Sequence, residues 1–337
     1  MFHLLKASLA GLLLALATPT LSAQAQTDIE RVSAYGAWTL EISEVVAEVV
    51  NVMDLAFEAD EISNSFTEGT LTAQKASAQL DTWRTQVDAQ LATLQARAER
   101  LSAGPELTPT GFEGFVASNR EVPLMALDSL AEFLDKSEGF ARQTIAGNSP
   151  NINEMMNARY GVLQVYYQSM ITANSSIQDT LQPSHPEYYY AQSLLLNLQN
   201  TQLLMEAVRQ ALGDEPSRFA TPDISATMRA NQAAITEAVE QGRVAQTRML
   251  TALSTLTADA MGISEAQRLT LIRVIETYTD TFDTEISGAA IHLESLDLIE
   301  ADPDGGLVID VFTEALIDYE ATRDQFQIER QRMVSSF

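Results

Sequence analysis

The stretch VSAYGAWTLEISEVVAEVVNVMDLA, residues 32–56, decides the fold class. Val32, Tyr35, Thr39, Ile42, Val46, Val49, Met53 and Ala56 recur at intervals of three and four, with Glu41, Glu44 and Glu48 between them. That period puts the apolar side chains on one stripe of an α-helix and the carboxylates on its solvated side. The segment is therefore expected to pack along its whole length.

Working outward, the same period returns almost everywhere. Leu80, Trp83, Val87, Leu91, Leu94, Ala98 and Leu101 mark a second helix that stops at Gly104-Pro105. A third runs from about 112 to 145 and contains Pro123, which removes a backbone donor, so a kink or two shorter helices are expected there. Met156, Tyr160, Leu163, Tyr167, Met170, Asn174, Ile177 and Leu181 define a fourth, ended by QPSHP at 182–186. A fifth helix starts at Pro186 and ends near Gly213. The sixth, seventh and eighth carry stripes over Ile224–Leu256, Ile272–Leu296 and Val308–Met333, the last reading Val308, Phe312, Ala315, Tyr319, Thr322, Phe326 and Met333.

No run of alternating β-branched residues interrupts this pattern, so the expected class is all-α. Short connections force neighbouring helices to run in opposite directions, which makes long antiparallel helices in an elongated bundle. The expected division is two four-helix bundles, 26–182 and 183–337; one continuous bundle uses the same segments.

The first 25 residues read differently. A basic start at Lys6, an apolar run from Ala7 to Leu16 and Ser22-Ala23-Gln24-Ala25 make a secretory signal peptide cleaved after Ala25. The expected location is the periplasm or the extracellular space. No later stretch is apolar enough over roughly 20 residues to span a bilayer.

Composition removes several chemistries. The chain has no cysteine, which excludes disulfides, thiolate metal sites and a cysteine nucleophile. Its 46 acidic residues against 20 basic ones give a net charge of −26, a sign that disfavours nucleic acid and anionic lipid and favours a cation or a basic partner. Neither a G-x-S-x-G elbow nor a phosphate-cradling glycine loop is present. A di-iron bundle needs Glu-x-x-His pairs, but Gln182 and Ala289 stand three residues before His185 and His292. His185, between two prolines, is expected in solvent, and His292 beside a helix seam.

Three features remain as candidate sites. Tyrosines cluster at Tyr166, Tyr167, Tyr188 and Tyr189, and the short loop between their helices is expected to bring them side by side as core packing or a contact surface. Asn197, Asn200 and Gln202 lie in the polar run NLQNTQ, bracketed by leucines. They form either a layer that sets helix register or a site for a small polar ligand. EADPDGGLVID, residues 300–310, begins as a calcium loop does: Glu300, Asp302 and Asp304 occupy ligand positions and Gly305 the turn. Position 12 falls on Val311 in place of a glutamate, and the same letters also make an ordinary turn. With no cofactor indicated beyond that calcium candidate, the expected function is non-catalytic. It is that of an exported scaffold or protein-interaction module whose partner is another envelope or secreted protein. The alternative is binding of a small polar ligand or calcium.

Overall fold

The structure is a computed structural model that describes residues 55–108, 113–150, 152–261, 263–301 and 306–335, with scattered positions between 34 and 52. Residues 1–25, expected to be a signal peptide, lie outside the described residues. Every regular element described is helical: α1 (Leu55–Thr67), α2 (Ala73–Ser102), α3 (Glu113–Asn119), α4 (Val122–Ile145), α5 (Ile152–Thr180), α6 (Pro186–Ala211), α7 (Ile224–Thr255), α8 (Ala258–Met261), α9 (Glu265–Glu276), α10 (Tyr278–Ala301) and α11 (Gly306–Ser335). The described positions from 34 to 52 that precede α1 are helical too. The all-α expectation holds for these residues.

Local chemistry sets most boundaries. Asp223 caps α7 by accepting the Ala226 N–H at 2.8 Å, and Ser264 and Gln267 form a reciprocal capping box at α9. At the end of α6 the chain turns through Gly213 at φ +89°, with Asp214 N–H on the Arg209 carbonyl at 3.0 Å. A glycine is needed there because a Cβ strains a left-handed residue. The segment around Pro123 does split into two helices, α3 and α4, with the proline in the first turn of α4 where no intrahelical donor is required. The seventh segment differs from expectation, since the helix is interrupted at Thr277 between α9 and α10 and a short α8 precedes it.

Among the described residues of the opening segment, Tyr35, Trp38, Ile42, Val45, Val49, Val52, Ala56 and Ala59 are buried, at intervals of three and four. Tyr35, Ile42, Val49 and Ala56 belong to the expected stripe. Trp38, Val45 and Val52 are buried as well, and the Trp38 indole donates to the Leu101 carbonyl at 2.9 Å; the expected positions Thr39, Val46 and Met53 lie outside the described residues. Trp83 likewise donates to the Leu55 carbonyl at 2.7 Å, tying α2 to α1.

α1 and α2 both pack on α4, α4 on α5, and α5 on α6; α6 then packs on α7 and α10, with α11 laid on α10. Arg159 of α5 clamps Asp60 of α1 through two 2.8 Å bonds and reaches Ser137 of α4 at 3.1 Å. α6 is deeply enclosed, with 17 of its 26 residues buried, including Glu187, Asn197, Asn200, Gln202 and Glu206. A helix surrounded in this way must satisfy its polar groups from its neighbours.

Candidate functional site

The polar groups of α6 meet those of α10 and α11 in two layers of the same composition. At the start of α6, Tyr278 of α10 donates its hydroxyl to the buried Glu187 carboxylate. The Arg330 guanidinium of α11 lies over the rings of Tyr278 and Tyr190, 4.8 and 5.0 Å from their centroids, and donates to Thr281. Two helical turns further along α10, Glu285 accepts from Asn197 Nδ2 at 2.7 Å and from the Tyr319 hydroxyl at 3.1 Å. Arg323 lies 5.2 Å from the Tyr319 ring centroid. Each layer thus holds one carboxylate, a tyrosine that donates to it and an arginine stacked on that tyrosine. The heptad spacings Tyr278 to Glu285 and Arg323 to Arg330 generate the repeat.

Electrostatics keep this interior neutral as a whole. Two buried carboxylates face two buried guanidiniums, and stacking on aromatic faces offsets part of the cost of desolvating the arginines. Burial pushes the hydroxyls of Tyr278 and Tyr319 well above the ordinary tyrosine range, and the neighbouring Glu187 and Glu285 add to it, so both stay protonated as donors. Glu206, further down α6, is pushed up by burial. Hydrogen bonds from Ser217, Gln164 and Gln210 outweigh that and hold it below the usual carboxylate range.

His185 and His292 are both buried, which corrects the expectation that His185 lies in solvent. His185 is buried at the N-terminus of α6, where Nδ1 accepts the Glu187 N–H at 3.1 Å and the ring meets Tyr278 edge-on. With Nδ1 accepting, Nε2 carries the hydrogen of the neutral ring. His292 is fully buried, with Nε2 2.8 Å from Thr201 Oγ1. Burial lowers both rings to a pKa of about 4; for His292, the Gly288 carbonyl works against burial and Arg323 with it.

The amides of the run bond to groups of neighbouring helices, with Asn197 Oδ1 and Asn200 Nδ2 left without a partner. Asn197 is taken by Glu285, Asn200 accepts from Asn231 at 2.8 Å, and Gln202 donates to the Gln164 carbonyl at 3.2 Å and to Gln168 at 3.1 Å. Those bonds fix the register of α5 on α6 and place Tyr167 level with this run. Tyr188 and Tyr189 are 11 or so residues back, about 16 Å along the helix. The tyrosines are therefore not brought side by side as expected. Tyr167 is buried with its hydroxyl on Glu320 at 2.8 Å, Tyr188 and Tyr189 are half-buried and edge-to-face, and the Tyr166 side chain lies outside the described residues. Of the calcium candidates, Glu300 is exposed near the end of α10, while Asp302 and Asp304 lie outside the described residues. Among the described residues no group of three or more His, Asp or Glu side chains is placed to hold a metal.

Sequence reading missed Glu187, Glu285, Arg323 and Arg330. A usable signal existed for the arginines: Leu316, Tyr319, Arg323 and Arg330 share one heptad seam, so two basic residues stand where apolar ones are expected. Compared with protein-family models, with curated proteins and with solved structures, the chain finds no match.

Proposed function

We propose that the protein is an exported, non-catalytic helical bundle that works as an interaction module in the periplasm or outside the cell. The observation that carries this reading is the mutual pairing of the interior polar groups: Glu187 with Tyr278, Glu285 with Asn197 and Tyr319, Asn200 with Asn231, Gln202 with Gln164. Groups that pair across helices in this way act as register pins and leave the outer surface to meet other molecules, although Glu187 Oε1, Asn197 Oδ1 and Asn200 Nδ2 are buried without a hydrogen-bond partner. That surface belongs to a chain of net charge −26, which attracts a basic partner and repels nucleic acid. Among the described residues no helix is long and apolar enough to cross a membrane. In this reading the helices form two bundles joined back to back, with α5 and α6 as the shared wall.

Two measurements test the proposal. Fractionation with N-terminal sequencing of the mature protein should place it outside the cytoplasm with Gln26 first. Cross-linking in the native envelope followed by mass spectrometry should recover a reproducible partner protein. Recovery of none across independent preparations would remove the interaction reading.

A further inference from the structure

α11 closes over a buried histidine. The helix is laid on α10 and α9 and supplies Tyr319, Arg323 and Arg330 to the two polar layers. His292 stands one heptad beyond Glu285, on the face of α10 that α11 covers. Its ring meets the Tyr319 ring edge-on, with centroids 5.9 Å apart, and both residues are buried.

Hydrogen bonding decides where this imidazole takes a second proton. Thr201 gives its hydroxyl hydrogen to the Asn197 carbonyl at 3.2 Å, so its oxygen, 2.8 Å from Nε2, accepts the ring N–H. Nδ1 is then the basic nitrogen, and the Gly288 carbonyl is the backbone group that favours its protonation. Tyr319 of α11 packs on that same glycine, with its ring 2.4 Å from where a Cβ would stand. A proton arriving at Nδ1 therefore appears directly beneath α11.

Charge makes that proton costly while α11 is seated. α6 faces His292 with the neutral Thr201 and, beyond it, Asn197; α10 brings Glu285; α11 brings Tyr319 and Arg323, whose guanidinium opposes a second cation. α7 pairs with α10 through Arg229 with Asp297 and Arg243 with Asp283, all exposed, and α5 reaches α11 where Tyr167 donates to Glu320 at 2.8 Å. With His292 neutral, Arg323 balances Glu285. With His292 charged, two cations and one carboxylate are held out of water. Departure of α11 takes Arg323 away, leaves His292 and Glu285 as a balanced pair on α10 and lets water reach both. The remaining helices need not unfold, because α6 packs on α5, α7 and α10, and α7 on α10, without α11.

We infer that α11 is a proton-released latch: a proton on His292 expels Arg323 and the helix that carries it, and uncovers an acidic slot on α6 and α10 that contains Glu187 and Glu285. The device needs only the packing of α11 and is independent of the interaction reading above.

The test uses the purified protein, whose lack of cysteine lets spin labels be placed singly. Labels at exposed positions, Asp318→Cys on α11 with Glu237→Cys on α7, report the latch by double electron–electron resonance, and Gln90→Cys on α2 with Glu237→Cys reports the body. The α11–α7 pair should show a second, longer and broader distance whose ratio to the closed one rises about tenfold or more between pH 7 and pH 5. The α2–α7 distance should stay single. His292→Gln should abolish the rise, whereas Glu320→Gln, which keeps an acceptor for the Tyr167 hydroxyl, should leave it intact. A single α11–α7 distance down to the pH at which circular dichroism reports unfolding overturns the latch, as does broadening of both pairs together. Persistence of the rise in His292→Gln, or its loss in Glu320→Gln, assigns the effect to carboxylates and also overturns it. Imidazole NMR of the unsubstituted protein decides independently of how the variants fold: His292 protonation must grow with the open population, and a neutral His292 in the open state removes the proposal.

Discussion

Gly242 shows how much a single residue settles in this protein. An added Cβ there meets the Phe282 ring at 2.2 Å, just as one at Gly288 meets the Tyr319 ring at 2.4 Å. The two glycines let aromatic rings approach a helix backbone closely. Gly242→Ala should destabilise the fold by about 1–3 kcal/mol even after the gain in helix propensity. Phe282→Leu should recover part of that in a urea titration of the double variant. Arg330 is the second case. Arg330→Met removes the cation facing Glu187 and leaves a buried carboxylate uncompensated, a loss of about 3–5 kcal/mol. Adding Glu187→Gln should return much of it, and a double-mutant cycle that closes additively would show that the two groups do not share a layer.

Among the elements, α6 carries the most information. Its leucines read as core from spacing, but its glutamates and amides read as an interruption until α5, α7 and α10 are seen to supply their partners. The ends of such helices are written more locally. Asp223→Ala should cost about 1 kcal/mol by orphaning the Ala226 N–H at the start of α7. Gly213→Ala should cost a similar amount, because φ of +89° strains any residue with a Cβ. Thermal melts of the two single variants check both. The break at Thr277 was not legible, since no proline or glycine marks it and the apolar period runs through.

For the whole molecule, acid is the informative variable. His185 and His292 titrate near 4 in the folded state and near 6.5 when unfolded. Between those values the unfolded chain binds more protons, so stability is full above about pH 6.5 and falls as the pH drops toward 4. At pH 5 the loss is about 2 kcal/mol per histidine, and each approaches about 3 kcal/mol at lower pH. Urea midpoints at pH 7 and pH 5 should show it, and His292→Gln should remove roughly half of the difference. A midpoint that stays constant or rises on acidification would mean that relief of repulsion among the carboxylates dominates.

By itself the sequence determined the helical class, most helix ends and the sign of the net charge. Each of these depends on spacing along the chain or on summed composition, which sequence carries directly. Only the tertiary structure decided that His185 and His292 are interior, that Tyr167 stands away from Tyr188 and Tyr189, and that Glu187 and Glu285 share layers with Arg330 and Arg323. Those partners are 38 to 143 residues apart. Which polar residue meets which is set by the register and rotation of packed helices, and a period of three and four leaves both open.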